Sequence, residues 1–218
     1  MNDLGDGEPS VPREERVDFG GLAITFDDRV LRPRAWTVAQ SRWAAELITA
    51  APPGRVLELC AGAGQIGLLA VSLAPRPLVC VDVDPVACTF LRRNAAEAAL
   101  DVDVDVREGP MDEVLAPGEV FAVVLADPPW VRTEETTRFP EDPLRAIDGG
   151  PDGLALARRC LHVIGQHLMP GGSAVIQLGS AAQADELAPA LRSYDGLRFS
   201  EVREFPDGAL ARIDRTPA

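Results

Sequence analysis

The sequence of 218 residues contains no lysine, so all 21 of its basic residues are arginine. It has two histidines (His162 and His167), one tyrosine and four cysteines at positions 60, 80, 88 and 160. No Cys-x-x-Cys pair occurs, and with only two histidines the usual zinc spacings are excluded, so no metal is expected. The cysteines read as buried free thiols. No apolar run approaches the roughly 18 uninterrupted residues of a membrane span. The N-terminal stretch MNDLGDGEPSVPREERVDF is acidic and lacks the apolar core of a secretory signal. Basic clusters are equally scarce: the longest are Arg92-Arg93 and Arg158-Arg159, against 34 acidic residues and a formal net charge of −13. A duplex-binding protein draws most of its non-specific affinity from Lys and Arg contacts to phosphate, so nucleic acid is an unfavoured partner. A cytoplasmic protein with a small-molecule or protein partner is expected.

What is present is an ordinary globular composition, with 46% hydrophobic and 25% charged residues. The length fits one large domain. Residues 1–16 read as a disordered tail and 17–218 as the domain, with 17–50 as an N-terminal cap and 51–218 as the core. The cap starts as a small hairpin broken at Gly20-Gly21, followed by an amphipathic helix from Thr37 that ends before Pro52-Pro53 and places Trp43 in the core. From Gly54 onward, apolar runs alternate with helical periodicity: RVLELC, PLVCVDV, DVDVDV, VFAVVLA and SAVIQLG as strands, with helices between. LRFSEVREF and ALARID close as a terminal hairpin. This alternation predicts an α/β fold with a doubly wound, mainly parallel, seven-stranded sheet.

Two segments carry chemistry. In VLELCAGAGQIG, residues 56–67, a strand enters a tight loop and then a helix. Gly62 and Gly64 let the backbone approach a ligand, and the helix N-terminus aims N–H groups at it. Gly62, Gly64 and Gly67, with Asp82 eighteen residues after Gly64, leave a dinucleotide formally open. A carboxylate at Glu58, inside the strand before the loop, is not part of that fingerprint and suits a ligand with a cationic amino-acid portion. In ADPPW, residues 126–130, two prolines follow a buried strand and leave bare carbonyls at the sheet's mouth. Asp127 and the Pro128 carbonyl are acceptors suited to an NH2 group, and Trp130 offers a flat face to a planar amide or base.

The first segment and VCVDVDP resemble the first two motifs of class I S-adenosylmethionine-dependent methyltransferases. DPPW resembles the (Asn/Asp)-Pro-Pro-aromatic tetrad of those acting on planar nitrogens. With EDPLRAIDGGPDGL (141–154) and RVLRPRAWT (29–37, matched at Leu31, Pro33, Arg34 and Thr37), the chain is similar to the release-factor glutamine methyltransferases over about residues 29 to 214. That resemblance implies S-adenosylmethionine as cofactor. The loop from Cys60 through Ala61 and Gly62 to Gly64 would cradle its methionine part, Asp82 would take the ribose hydroxyls, and Glu58 would act near the ammonium. It also implies cofactor contacts at Arg34, Thr37, Val83, Met111 and Asp127, with Asp127, Pro128 and Trp130 catalytic.

The sequence departs from that family at four places. Asp127 replaces Asn, Trp130 replaces Tyr, Trp36 stands in place of an acid, and Pro110 in place of an adenine-contacting acid; the family's helical N-terminal domain is not matched. The expected activity is N-methylation of a planar amide or amine nitrogen, most like protein glutamine N5-methylation. The alternative is a small-molecule methyltransferase, with a nucleobase acceptor opposed by the acidity. Residues 131–152, with Glu134, Glu135, Glu141 and Asp142, are expected to form an acidic loop over the acceptor site.

Overall fold

A computed structural model describes residues 13–217. The chain opens with an antiparallel hairpin, β1 (Glu15–Phe19) and β2 (Leu22–Phe26), turned by Gly20-Gly21 as expected. Glu15 pairs with Phe26 and Arg16 with Thr25. The expected tail therefore ends before Glu15, because cross-strand pairing claims its last two residues; residues 1–12 lie outside the described part.

The core elements follow in order: α1 (Val38–Ala50), β3 (Val56–Leu59), α2 (Gln65–Leu73), β4 (Leu78–Asp82), α3 (Pro85–Ala98), β5 (Val104–Glu108) and β6 (Phe121–Ala126). Then come α4 (Leu144–Ile147), α5 (Ala155–His167), β7 (Leu168–Leu178), α6 (Ala181–Leu191), β8 (Leu197–Phe205) and β9 (Gly208–Arg215). The seven core strands form one sheet in the order β5-β4-β3-β6-β7-β9-β8. All pairs are parallel except those made by β9, which runs antiparallel to both β7 and β8.

Strands buried on both faces read as continuous apolar runs, and their alternation splits the core in two. Val56, Leu78, Val123 and Val175 pack with α1, α2 and α3 on one face, where Trp43, Ile66 and Leu91 are buried. Leu57, Val79, Val124 and Ile176 pack with α5 and α6 on the other, against Leu161, Ile164 and Leu187. The Pro170–Gly172 stretch just before SAVIQLG lies inside β7. Pairing with β6 jumps from Phe121↔Leu168 to Val123↔Ser173, so the intervening residues bulge out of the ladder while the strand continues.

At the centre, β3 and β6 are neighbours, and their last residues, Leu59 and Ala126, are in register. The chain leaves β3 toward β4 and leaves β6 toward β7, on opposite sides. This is the switch point where open α/β sheets bind ligands beyond the strands' carboxyl ends. Both chemistry-bearing segments start there.

Candidate active site

The loop after β3 is tightly held. Cys60 sits at φ 56°, a left-handed conformation uncommon for a residue with a side chain, which is characteristic of functional turns. The Gly62 N–H donates to Asp82 Oδ2 at 2.8 Å, and the Asp84 N–H donates to Asp82 Oδ1 at 2.9 Å. Asp82 thus ties the β3 loop to the start of α3, and burial raises its carboxyl above the ordinary range. Gly64 caps α2 at φ 85°, where a Cβ would stand 2.7 Å from the Leu91 side chain.

Two adjoining cavities open at the sheet's mouth. The inner one, about 260 Å³, is lined by Cys60, Gly62, Asp82, Val83, Pro110 and Met111 among others. A Cβ on Gly62 would stand in open space, so its backbone faces the cavity bare. The outer cavity, about 760 Å³, is lined by Arg34, Trp36, Thr37, Pro128, Trp130 and Gln177 among others. Asp127 and Gln65 line both.

Of the expected cofactor residues, Cys60, Gly62, Asp82, Val83, Met111 and Asp127 meet at the inner cavity. Five others do not. Arg34 and Thr37 line the outer cavity, because the turn after β2 carries them past the mouth. There Thr37 Oγ1 donates to the Arg34 carbonyl at 2.8 Å, and the Arg34 guanidinium pairs with Asp142, whose side chain is 5% exposed. The Ala61 side chain is buried, its N–H donating to the Val81 carbonyl, and Gly64 packs on Leu91 and Leu68. Neither lines a cavity.

Glu58 requires the largest correction. It shares the face of Val56, so strand alternation turns it beneath α2 and away from the mouth. Its Oε1 accepts the Gly67 N–H at 2.9 Å and its Oε2 accepts from the Cys80 thiol at 3.4 Å. Burial pushes its carboxyl up to about 8, with the charges of Asp127 and Asp82 adding to the rise. A neutral carboxylic acid bracing the helix start is the result, and Glu58 lines neither cavity.

Asp127 follows the end of β6, and its N–H donates to the Leu59 carbonyl at 3.3 Å. Its side chain accepts no hydrogen bond among the described residues, and burial pushes its carboxyl up to about 7. Trp130 lies against Gly179, where a Cβ would come 2.5 Å from the indole. The mouth is further fixed by Gln40 of α1, whose Nε2 donates to the Ala126 carbonyl at 3.0 Å and the Val175 carbonyl at 3.2 Å.

The segment from 131 to 152 is more ordered than the expected loop. It holds a 3-10 turn at Thr133–Arg138, helix α4 and a parallel bridge from Val131 to Asp148. Thr133 Oγ1 and the Gly150 N–H both donate to Asp148 Oδ1, at 2.7 and 2.9 Å. Glu141 and Asp142 line the outer cavity, whereas Glu134 and Glu135 do not, Glu135 pairing instead with Arg138 at 3.2 Å. Sequence reasoning passed over Gln40, Gln65 and Gln177. Their one signal is a polar residue inside a run that is otherwise buried.

The sequence profile of a family described as Conserved hypothetical protein 95 matches residues 22–139, more than half of the chain. A release factor glutamine methyltransferase from Clostridium acetobutylicum is 28% identical over 208 residues, covering 92% of this chain and 71% of its own length. A ribosomal protein uL3 glutamine methyltransferase from Bradyrhizobium diazoefficiens is 30% identical over 200 residues, covering 84% of this chain and 62% of its own. Among solved structures, SMU.776, a putative methyltransferase complexed with SAH, superposes with a TM-score of 0.68 at 10% identity, over 94% of this chain and 57% of that one. The switch-point site, the strand order and these likenesses agree: the chain belongs to the Conserved hypothetical protein 95 family and carries the Rossmann-like methyltransferase fold.

Proposed function

We propose that the protein is an S-adenosylmethionine-dependent methyltransferase acting in the cytoplasm on the side-chain amide nitrogen of a protein glutamine. The observation that carries this reading is the position of Asp127. Its carboxylate, which accepts no hydrogen bond among the described residues, stands on the boundary between the two cavities, followed by the Pro128 carbonyl and the Trp130 plane. The names of the 28% and 30% identical relatives support glutamine as acceptor.

The inner cavity fits the cofactor. Asp82 offers a carboxylate to vicinal hydroxyls, the bare backbone at Gly62 admits the amino-acid portion, and Val83, Pro110 and Met111 give apolar walls for a purine. When bound, the cofactor supplies a methyl group on a sulfonium, already activated for transfer. The chain's task is then to position the nitrogen, since reacting atoms must approach to about 3–3.5 Å in line. Asp127 accepts a hydrogen of the acceptor NH2 and holds the nitrogen at the cavity boundary. With its carboxyl at about 7, it is matched to receive the proton the nitrogen releases. Pro128 adds a second acceptor, and Trp130 keeps the amide plane from rotating. Cys60 takes no part as a nucleophile, because the neighbouring Cys160 thiol and burial hold its own thiol well above the usual range.

The test is methyl transfer from labelled cofactor to purified release factors, to ribosomal protein uL3, to an RNA hairpin and to small carboxamides, with the product located by mass spectrometry. Label on a glutamine of a protein supports the reading. Label on a base or exclusively on a small amide replaces it.

A further inference from the structure

Three glutamines among the described residues have a buried side-chain oxygen without a hydrogen-bond partner: Gln40, Gln65 and Gln177. Gln40 is explained by its other end, which joins β6 to β7, and it lines neither cavity. Gln177 has no such account. It lies near the end of β7 between Ile176 and Leu178, is 5% exposed, and forms part of the outer cavity's wall with Asp127 and Trp130. A buried carbonyl with no donor is destabilising, and an apolar residue in this strand would avoid that cost. Gln65, 8% exposed with its Oε1 also unpartnered, stands where the two cavities join. Among the described residues, two carboxamides with buried, unpartnered oxygens and a carboxylate that accepts no hydrogen bond therefore belong to the walls of the same cavities.

We infer that Gln177 is the specificity-determining residue that reads the acceptor as a primary carboxamide. Its Nε2 donates to the acceptor carbonyl while its Oε1 shares with the Pro128 carbonyl the N–H on the same side of that amide. The acceptor's other N–H is left for Asp127. Among protein side chains at neutral pH, only a primary carboxamide returns both halves of this pairing. A carboxylate brings no donor and an amine brings no carbonyl, so each would leave one end of Gln177 buried and unmatched. This inference rests on the amide reading above and adds to it how a glutamine side chain is told from a glutamate.

The test compares wild type with Gln177→Met, which keeps the volume and removes both polar ends; Gln177→Leu serves as a second apolar variant. The probes are N-acetylglutamine N-methylamide and its glutamate counterpart, followed by NMR binding to the protein saturated with S-adenosylhomocysteine and by turnover with labelled cofactor. Wild type is expected to bind the carboxamide at least about tenfold more tightly than the carboxylate, a factor equivalent to about 1.4 kcal/mol. In the variants that ratio collapses to about twofold or less, KM rises about tenfold or more, and neither cofactor affinity nor melting temperature falls. Wild type that neither binds nor methylates the carboxamide refutes the amide reading itself. Wild type that does so while both variants keep its selectivity and KM refutes the role of Gln177 alone.

Discussion

The Glu58 carboxyl occupies the space that a side chain at position 67 would need: a Cβ on Gly67 would overlap Glu58 Oε2, while the Gly67 N–H donates to Oε1 at 2.9 Å. Absence of a side chain and presence of an acid are thus one arrangement, which sets the start of α2 against β3. Gly67→Ala should cost about 1–3 kcal/mol, as overpacking of a filled interior does. Shortening the acid with Glu58→Ala should recover much of that cost. The double-mutant cycle is read from urea midpoints, and additive losses would show that the two positions are independent.

The raised carboxyls of Glu58, at about 8, and Asp127, at about 7, make stability depend on pH. Each is protonated in the folded protein over a range where the unfolded chain has already ionised. Their stabilising share is complete below the unfolded values, near 4, and is lost as pH rises toward 7 and 8. Melting temperature should therefore fall between about pH 5 and 8, and Glu58→Gln should flatten that fall. A variant that melts in parallel with wild type across the range would place the dependence elsewhere.

Turnover should show the opposite limb. Asp127 accepts hydrogen and proton only when ionised, so kcat/KM should climb with pH through about 7 and then level. Asp127→Ala removes the acceptor and should lose this limb along with most of the rate, with cofactor affinity held within a few-fold. Calorimetry with the cofactor, beside a pH–rate profile, separates the two effects. A large drop in cofactor binding would make Asp127 a ligand of the inner cavity.

Asp82 anchors two backbone N–H groups and faces the inner cavity. Asp82→Ala should weaken cofactor binding by about tenfold to a hundredfold, the worth of losing hydrogen bonds to a charged group. Titration calorimetry measures it directly, and affinity within twofold of wild type would remove Asp82 from the site.

Much of this was legible from residue order. The apolar runs gave the strands, their alternation with helices gave the doubly wound sheet, and the loop and DPPW segments mark the two strands that prove adjacent. Side-chain direction was less accessible. Glu58 belongs with Val56 by alternation, but which helix covers that face depends on the winding, a property of the whole sheet. A local match alone points Arg34 and Thr37 to the cofactor. Only the path of the chain after β2 puts them on the outer cavity, where an ion pair ties Arg34 to Asp142 over a hundred residues away. Gln177 was hidden because one polar residue in a buried strand carries no spacing pattern.

Arg34→Ala tests that ion pair. Asp142 would remain buried without its partner, so the segment above the acceptor should loosen. Acceptor KM is expected to rise several-fold with cofactor affinity unchanged, and faster amide hydrogen exchange should appear across 131–148. Unaltered exchange would show that Asp148 and its hydrogen bonds suffice to hold the segment.

The two cavities share Leu31, Gln65, Asp127, Pro129 and Ala146, and draw most of their remaining walls from different stretches of chain. The inner walls come largely from the loops after β3, β4 and β5; the outer ones come from the N-terminal cap, the 131–148 segment and the ends of β7 and β8. Natural variation can therefore redraw the outer chamber while the cofactor half stays as it is. A lineage of such proteins would then differ in what they modify long before they differ in what they modify it with.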